Sequence, residues 1–363
     1  MIILGSTGSI GRNTLALARE FKFEIGALAC AKNYALLNEQ IAEFHPRLVY
    51  IAEREAASAV KHDRVFTGDI TEFLRACRDE LGTVKVINSL VGFSGLVPSR
   101  VSQELGFELC LANKESLVAG GEFLDTKKIN PIDSEHFGLK FLLKSRPKPV
   151  GLIITASGGA VYKTPIKELK NVTPEIALKH PNWSMGAKIT IDSATMANKL
   201  FEVLEAYWLY RVPKIEAMIE RGSLVHALVE FADGSTTAHV SATDMKLAIA
   251  HAIGLGEKKI LSNLNLLGAQ IKFEKISPRR YPIFTLANEV LERPHLGCAI
   301  NAANEEAVYA FLEGKIRFTD IAKCVFAALD KFGAERAKEF CEVIDLDRRV
   351  REHVRQIIKN GRK

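Results

Sequence analysis

Residues 2–11 read Ile-Ile-Leu-Gly-Ser-Thr-Gly-Ser-Ile-Gly, an apolar run followed by glycines at positions 5, 8 and 11. A strand, a glycine-rich turn and a helix in this order let backbone N–H groups approach a pyrophosphate at the helix N-terminus. A purely structural tight turn would use the same glycines. The stretch therefore predicts the start of a nucleotide-binding domain, with a structural turn as the alternative.

Beyond this turn, short apolar runs alternate with amphipathic segments as far as about residue 130, the pattern of βαβ units in a parallel sheet. Helices are predicted at 13–20 and 34–44. Strands are predicted at residues 2–4, 23–29, 48–51, 84–88 and 107–112. The fold class that follows is α/β, with an N-terminal Rossmann-like parallel sheet, a central α+β catalytic domain and a C-terminal helical domain.

The expected boundaries follow from breakers and changes of pattern. The breaker Ser-Arg-Pro-Lys-Pro at 145–149 precedes a strand at 150–155, a helix at 192–210 and a hairpin of residues 224–231 and 236–241. Exposed sheet surface of this kind often pairs, so we expect a homodimer through the central domain. The domains are predicted as 1–132 (nucleotide-binding), 133–270 (catalytic, with a lid loop at 180–186), 271–284 (linker) and 285–363 (helical).

Composition excludes several classes. With 363 residues, 47% apolar and 25% charged, the chain is typical of a globular protein. It has neither a run of roughly 18 to 20 apolar residues nor a signal-peptide pattern, so we expect a cytoplasmic protein without a membrane partner. The net charge of +6 is spread along the chain and indicates no nucleic-acid partner. The six cysteines lack framework spacing and favour buried thiols.

Two polar groups follow predicted strands of the first domain. Ala31-Lys32-Asn33 stands where NAD enzymes carry an acid, and a cation there suits the 2'-phosphate of NADP, with an ordinary exposed lysine as the alternative. Asn113-Lys114-Glu115-Ser116 follows a later strand. These residues could hold cofactor or substrate, but a capped helix start needs no further function.

Two further segments carry acids and a polar stripe. Asp133-Ser134-Glu135 offers hard oxygen ligands that favour Mg²⁺ or Mn²⁺, with solvated turn acids as the alternative. In the predicted helix 192–210, Ser193 at the N-terminus and the stripe suit a phosphate, while a mixed polar face is the plain alternative. The stripe consists of Thr195, Asn198, Lys199 and Glu202, opposite a predicted core face of Met196, Leu200, Val203 and Tyr207.

Two loops complete the candidate site. Ser157-Gly158-Gly159 follows a strand and can form a backbone nest for an anion. The loop 180–186 carries His180 and Trp183 between a proline and a glycine. A large aromatic residue in such a loop indicates a lid over a ligand or a buried anchor of an ordered loop.

Together these motifs resemble the 1-deoxy-D-xylulose 5-phosphate reductoisomerase family along the whole chain. The combination of HPNWSMG with the following DSATM is very specific. The motifs that carry the resemblance are GSTGSIG from Gly5, KN from Lys32, ANKES from Ala112, DSEH from Asp133, SGG from Ser157, HPNWSMG from His180, DSATM from Asp192, NAANE from Asn301 and IRFTDI from Ile316.

The resemblance implies that 1-deoxy-D-xylulose 5-phosphate is rearranged and reduced to 2-C-methyl-D-erythritol 4-phosphate, with NADPH and Mn²⁺ or Mg²⁺, in non-mevalonate isoprenoid biosynthesis. The implied metal ligands are Asp133, Glu135 and Glu202. The implied substrate-binding residues are Lys114, Ser134, Glu135, Ser157, His180, Ser193, Asn198, Lys199 and Glu202, of which Lys114, Glu135 and His180, together with Trp183, are also catalytic. The implied cofactor contacts are Thr7, Gly8, Ser9, Ile10, Ala31, Lys32, Asn33, Asn113, Glu115 and Gly186.

The chain departs from the family pattern at three places. Ala31 replaces a usual glycine, Ala160-Val161 replaces a usual Pro or Ala and Phe, and Lys246-Leu247 lies in a segment that has lost an arginine and two prolines. Two rival functions remain. A semialdehyde dehydrogenase would need a nucleophilic cysteine in a polar loop, and a cofactor-sensing regulator would need a basic helix-turn-helix.

Overall fold

The computed structural model describes residues 1–145 and 148–361. The centre of the predicted breaker, residues 146 and 147, lies outside these ranges. The strands are β1 (Ile2–Leu4), β2 (Ala27–Cys30), β3 (Leu48–Ile51), β4 (Val65–Phe66), β5 (Lys85–Asn88), β6 (Glu108–Leu111), β7 (Ile129–Pro131), β8 (Pro149–Ala156), β9 (Lys214–Glu220), β10 (Val225–Phe231), β11 (Thr236–Val240) and β12 (Phe273–Glu274).

The helices range from one turn to almost six turns in length. They are α1 (Ser9–Phe21), α2 (Tyr34–Phe44), α3 (Ile70–Leu81), α4 (Leu96–Glu104), α5 (Lys114–Gly120), α6 (Ser134–Leu142), α7 (Pro174–Ala177), α8 (Ala187–Thr195), α9 (Ala197–Tyr210), α10 (Met245–Ile253), α11 (Ala287–Glu292), α12 (Leu296–Leu312), α13 (Asp320–Phe332) and α14 (Phe340–Asn360). Within the described ranges, none of them is long and apolar enough to cross a membrane.

The chain forms two compact units. The first unit contains Met1–Ser116, Leu124–Phe137 and Asp244–Ser262. The second unit is made of Leu117–Phe123, Gly138–Thr243 and Asn263–Lys363. The segment Asp244–Ser262, which sequence analysis assigned to the catalytic domain, thus returns to the first unit. The division at residues 132, 270 and 284 stays a prediction.

The first unit contains the predicted Rossmann-like sheet, with strands in the order β4-β3-β2-β1-β5-β6-β7. Every pairing in this sheet is parallel. The strand order reverses at β1, which pairs with β2 on one side and β5 on the other. Ligands of such sheets bind outside the carboxyl ends of the strands at the reversal point. The glycine-rich turn follows β1 and therefore lies at this point.

Helices cover both faces of this sheet because apolar residues occupy both faces of its strands. Ile3 belongs to a buried cluster with Leu15 of α1 and Ile249 of α10. Its neighbour Ile2 belongs to the opposite cluster, which contains Phe73 of α3. The helix α10, within the segment that lost the family's prolines, begins after Asp244, whose carboxylate accepts from the Lys246 amide at 2.8 Å.

The second unit is built on a mixed sheet in the order β11-β10-β8-β9-β12. The pair β8 and β9 is parallel and the other pairs are antiparallel, so the predicted hairpin is confirmed as β10 and β11. One face packs on α9, where Val203 lies in a buried cluster with Leu152 and Val229. As expected, the last described part of the chain is helical, from α11 to α14.

The single helix predicted over 192–210 is wrong. The chain breaks it at Met196, whose φ of 68° is left-handed, so that α8 ends at Thr195 and α9 begins at Ala197. Ser193 consequently lies in the last turn of α8 rather than at a helix N-terminus. A left-handed non-glycine residue costs about 1 kcal/mol, and the burial of the Met196 side chain, 1% exposed, offsets that cost. The strand predicted at 23–29 is also shifted, to Ala27–Cys30.

Gly11→Ala tests the close packing of the glycine-rich turn. A Cβ at Gly11 would lie 2.4 Å from the Gly5 carbonyl oxygen and 2.5 Å from the Ser6 Cα, and neither backbone atom can move freely. We expect the free energy of unfolding to fall by about 2 kcal/mol in urea titrations. Gly8→Ala is the control, because its Cβ would meet only the Gly5 carbonyl oxygen, at 3.3 Å. Equal stabilities of the two variants would contradict the packing argument.

Candidate active site

The turn after β1 leads directly into the N-terminus of helix α1. Gly5 has a φ of +88°, and a Cβ there would lie 2.7 Å from the Ser89 carbonyl oxygen. Gly8 and Ser9 are exposed at the start of the 13-residue helix α1, and Gly8 provides no side-chain cap. The first N–H groups of a helix need acceptors from outside the helix, and an anion meets that need. Thr7 and Ile10 flank the same turn and are half-buried.

The segment after β2 lies on the surface. Ala31, Lys32 and Asn33 are all exposed. The Asn33 Oδ1 accepts from the Leu36 amide at 3.1 Å and so caps α2, which gives this side chain a structural task. Lys32 is the cation of this segment. Its exposed side chain is compatible with binding to a 2'-phosphate and also with an ordinary surface lysine.

Asn113 is committed to holding loops together. Its side chain is 1% exposed, and Nδ2 donates to the carbonyl oxygens of Leu90 at 2.9 Å and Gly92 at 2.8 Å. Oδ1 accepts from the Ser116 amide at 2.9 Å, and the Glu115 carboxylate accepts from Nδ2 at 3.1 Å. The helix-start interpretation of this motif therefore describes its local structure correctly.

In the first unit, a lysine and two carboxylates meet beyond the carboxyl end of β7. Lys114 Nζ lies 3.1 Å from Asp133 Oδ2, with the two side chains 8% and 14% exposed. Asp133 Oδ1 accepts from the amides of Glu135 at 3.0 Å and His136 at 3.2 Å, which caps α6. Ser134 Oγ donates to Glu135 Oε2 at 2.6 Å. These acids are half-buried and oriented, unlike solvated turn acids.

In the second unit, the first turns of α9 hold a buried ion pair. Glu202 is 1% exposed and Lys199 is 4% exposed. The Glu202 carboxylate accepts from Lys199 Nζ through one oxygen and from Asn198 Nδ2 through the other. A buried carboxylate is costly unless such donors surround it, so these contacts hold Glu202 in one orientation.

His180 lies against Ser157 in the same unit. Its Nε2 is 2.9 Å from Ser157 Oγ, while Nδ1 accepts from the amides of Asn182 at 3.2 Å and Trp183 at 3.0 Å. Because Nδ1 is an acceptor, the ring proton is on Nε2. Burial first, then the positive charges of Arg221 and Lys199, lower the pKa of His180 from 6.5 to about 4. The ring is therefore neutral at pH 7 and donates from Nε2.

The turn after β8 packs against the end of α8. Gly158 and Gly159 both have positive φ, +87° and +65°, and the Gly159 amide donates to Ser157 Oγ at 3.1 Å. A Cβ on Gly159 would lie 2.7 Å from the Ser193 carbonyl oxygen. Glycine is thus required at both positions, because only then can the backbone that follows Ser157 pack against the backbone of Ser193. The substituted residues Ala160 and Val161 follow this turn, and Val161 is completely buried.

The loop 180–186 is fixed at its beginning by the His180 contacts. The half-buried Trp183 ring lies edge-on to His226, with ring centroids 6.1 Å apart. Asn182 Nδ2 donates to the Arg221 carbonyl oxygen at 2.8 Å and to Ser223 Oγ at 2.7 Å. Gly186 is exposed and precedes α8. Hydrogen bonds of His180 and Asn182 thus hold the loop, while the Trp183 side chain stays half-buried.

Sequence reasoning missed a buried network behind Ser193. Asp192 lies 2.9 Å from Lys188 Nζ and accepts from Asn304 Nδ2 of α12 at 2.7 Å. All three side chains are at most 5% exposed. The only signal in the sequence is the i, i+4 spacing of a lysine and an aspartate in an otherwise mostly apolar segment. The asparagine lies more than one hundred residues away and has no local signal.

The cysteines do not favour a covalent nucleophile. Cys30, Cys77, Cys110, Cys298 and Cys324 are buried and Cys341 is exposed on α14. Burial raises the pKa of Cys30 and Cys324 to about 11 and that of Cys77 to about 12. Catalytic thiols have lowered pKa values. The semialdehyde dehydrogenase alternative therefore has no support from these residues.

Three family models match the chain almost end to end. They describe the 1-deoxy-D-xylulose 5-phosphate reductoisomerase (residues 1–121), its C-terminal domain (129–210) and a DXP reductoisomerase C-terminal domain (240–353). The chain belongs to the 1-deoxy-D-xylulose 5-phosphate reductoisomerase family. The resemblance inferred from the motifs is confirmed.

Individual reductoisomerases support this assignment over their whole length. The chain is 61% identical to the enzyme of Campylobacter fetus subsp. fetus, over 97% of this chain and 99% of the relative, and 57% identical to that of Campylobacter hominis, over 99% and 100%. A crystal structure of a DOX-P reductoisomerase with NADPH, fosmidomycin and magnesium matches with a TM-score of 0.89 and 32% identity, covering 100% of this chain and 98% of that one. The Zymomonas mobilis reductoisomerase with NADPH matches with a TM-score of 0.86 and 30% identity, covering 98% of each chain.

His180 gives a testable pH dependence. NMR titration should show its ring neutral down to a pKa of about 4. The unfolded chain binds this proton below 6.5, so stability falls as pH drops from about 6.5 towards about 4. Inorganic phosphate should raise the His180 pKa, because a nearby anion stabilises the imidazolium, whereas His353 on α14 should keep its pKa. A His180 pKa near 6.5 in the folded protein would contradict the described contacts.

Proposed function

We propose that this chain rearranges and reduces 1-deoxy-D-xylulose 5-phosphate to 2-C-methyl-D-erythritol 4-phosphate, using NADPH and a divalent metal, in non-mevalonate isoprenoid precursor biosynthesis. The observation that carries the proposal is family membership along nearly the whole chain. The buried clusters in the two units add chemical support, because they contain the donors that a phosphorylated, metal-bound substrate requires.

NADPH is proposed to bind at the carboxyl edge of the parallel sheet. The uncapped start of α1 provides amides for the pyrophosphate, and the exposed Lys32 provides a cation for the 2'-phosphate. Asn113 is committed to loop contacts, so we assign it the task of shaping the pocket wall. The proposed contacts are Thr7, Gly8, Ser9, Ile10, Ala31, Lys32, Asn33, Asn113, Glu115 and Gly186.

Asp133, Glu135 and Glu202 are proposed to hold one Mg²⁺ or Mn²⁺ ion. The donor set fits, since all three offer carboxylate oxygens, the preferred ligands of these hard cations. Lys199 and Asn198 orient Glu202, and the Glu135 and His136 amides orient Asp133. When bound, the metal supplies positive charge for the developing oxyanion of the substrate, and NADPH supplies the hydride.

The substrate phosphate is proposed to bind in the second unit. Ser157, Ser193, Asn198 and Lys199 supply hydroxyl, amide and ammonium donors, and neutral His180 offers its Nε2 proton beside Ser157. Lys114 and Ser134 of the first unit are proposed to bind the substrate's carbonyl and hydroxyl oxygens. Carbon rearrangement by retro-aldol cleavage and re-addition needs no covalent nucleophile, in agreement with the buried thiols. Trp183 and the loop 180–186 are proposed to exclude water from the fragments.

A cytoplasmic homodimer is proposed as the working form, with no nucleic-acid or membrane partner. The edge strand β11 supports the dimer, since its residues are half-buried to exposed and its outer edge is available for pairing. Analytical ultracentrifugation of the full chain measures the assembly directly. A monomer at micromolar concentration would contradict this part of the proposal.

The direct test of activity is NADPH oxidation at 340 nm with 1-deoxy-D-xylulose 5-phosphate. We expect turnover that requires Mn²⁺ or Mg²⁺ and stops when a chelator is added, because the oxyanion loses its stabilising charge. Folded protein without turnover, or turnover that a chelator does not change, would refute the proposed function.

Glu202→Gln separates the metal role of this residue from a structural one. We expect turnover to be abolished, because a neutral amide is a poor ligand for a hard cation, while NADPH affinity stays near that of the unaltered protein. NADPH binding can be followed by fluorescence. Glu216→Gln, on the exposed part of β9, is the control and should keep both properties. Simultaneous loss of turnover and NADPH binding in Glu202→Gln would indicate a structural role.

A further inference from the structure

Arg221 is a cation of the second unit to which the motifs assign no role. It follows β9, and its guanidinium carbon lies 3.7 Å from the centroid of the Tyr162 ring. Nη1 is fully buried and has no hydrogen-bond acceptor among the described residues. A buried N–H group without an acceptor is costly, so its retention calls for a ligand that satisfies it.

The chain holds Arg221 rigidly in this position. The Glu220 carboxylate accepts from the amides of Gly222 at 2.6 Å and Leu224 at 2.7 Å, which closes the turn between β9 and β10. Asn182 then ties the turn to the loop 180–186 through the Arg221 carbonyl oxygen. The backbone of Arg221 is therefore fixed on both sides, and stacking on Tyr162 orients the guanidinium.

Arg221 lies close to a group of residues that we call the phosphate clasp. The clasp consists of Ser157, Ser193, Asn198, Lys199 and His180. The Tyr162 ring lies next to the Ser157 turn, since a Cβ on Gly158 would meet Tyr162 Cδ2 at 2.7 Å. Arg221 and Lys199 both contribute positive charge at the His180 ring. Two cations therefore act on the imidazole that bonds to Ser157.

The acid Glu274 interacts electrostatically with Arg221 but has other partners. The Glu274 carboxylate is engaged by the Tyr162 hydroxyl at 2.5 Å and by Lys272 Nζ at 3.1 Å. Among the described residues, Arg221 forms no ion pair with a carboxylate within 4.0 Å. Its charge is therefore left for an external anion.

We propose that Arg221 is a further substrate-binding residue, whose guanidinium donates to the phosphate group held by the clasp. The inference rests on the proposed function, because it assigns Arg221 to the phosphate of the same substrate. A guanidinium can donate two N–H groups to one phosphate, which a lysine cannot. Stacking on Tyr162 occupies the face of the guanidinium and not its edge, where the N–H groups, including the buried and unsatisfied Nη1, lie.

The test compares Arg221→Gln and Arg221→Met with Arg211→Gln. Arg211 is a matched control in the same unit, since it also stacks on aromatic rings, 4.7 Å from Tyr207 and 4.6 Å from Trp208. Inorganic phosphate is titrated into the full chain by calorimetry, and the His180 pKa is followed by NMR. Steady-state kinetics with 1-deoxy-D-xylulose 5-phosphate separates KM from kcat.

We expect both Arg221 variants to bind inorganic phosphate about tenfold more weakly and to raise the substrate KM similarly, with kcat changed less than about threefold. Their His180 pKa should rise, because a positive charge is removed. Arg211→Gln should match the unaltered protein in all three measurements. Arg221→Met retains an apolar side chain for contact with Tyr162. If Arg221→Gln does not fold, Arg221→Met alone tests whether Arg221 binds phosphate.

Unchanged phosphate affinity in a folded Arg221 variant would overturn the inference. So would a loss confined to kcat, which would place Arg221 in loop support rather than in phosphate binding. These outcomes are distinct from failure of the proposed function, which would appear as absent turnover in the unaltered protein while its phosphate titration could still be measured.

Discussion

Four charged side chains of the second unit, Lys188, Asp192, Lys199 and Glu202, are buried to 95% or more. Removing an ion from water costs several kcal/mol, so each of these groups must face a partner in a fixed position. Lys188 pairs with Asp192 and Lys199 pairs with Glu202. Each pair lies within one helix, the first in α8 and the second in α9, and fixes the directions of its side chains on either side of the left-handed Met196. The orientation of the candidate phosphate site depends on this constraint.

The same burial explains the behaviour of His180. A third positive charge beside Lys199 and Arg221 would be unfavourable, so the imidazole stays neutral and acts as a donor to Ser157. An arriving dianion reverses this balance, since it neutralises the cations and stabilises a proton on the ring. The unit is thus electrostatically prepared for an anion, and its buried cations favour a phosphorylated ligand over a neutral sugar.

The first unit has a different kind of candidate anion site. The proposed phosphate-binding turn leads into the start of α1, which has no side-chain cap, and close packing at Gly5 and Gly11 fixes the backbone there. Some motif side chains of this unit stabilise the fold itself. Asn113 joins the loops after β5 and β6, and Asn33 caps α2. A motif residue can therefore identify a family through its role in the fold.

The sequence by itself determined the elements whose signals are local. The strands Ile2–Leu4 and Leu48–Ile51 and the helix Tyr34–Phe44 lie at the predicted residues, because apolar periodicity and capping act within a few positions. The glycine-rich turn and the family motifs could also be identified from the sequence. Most of the candidate site residues were named from those motifs.

Only the tertiary structure decided the break at Met196, the contact of Asp192 with Asn304, the return of Asp244–Ser262 to the first unit, and the position of Arg221 on Tyr162. A left-handed methionine is stable only where its side chain is buried, and Asn304 meets Asp192 only when α12 packs on α8. Such features depend on free energies of packing and desolvation between distant segments, which leave no periodic trace in the chain.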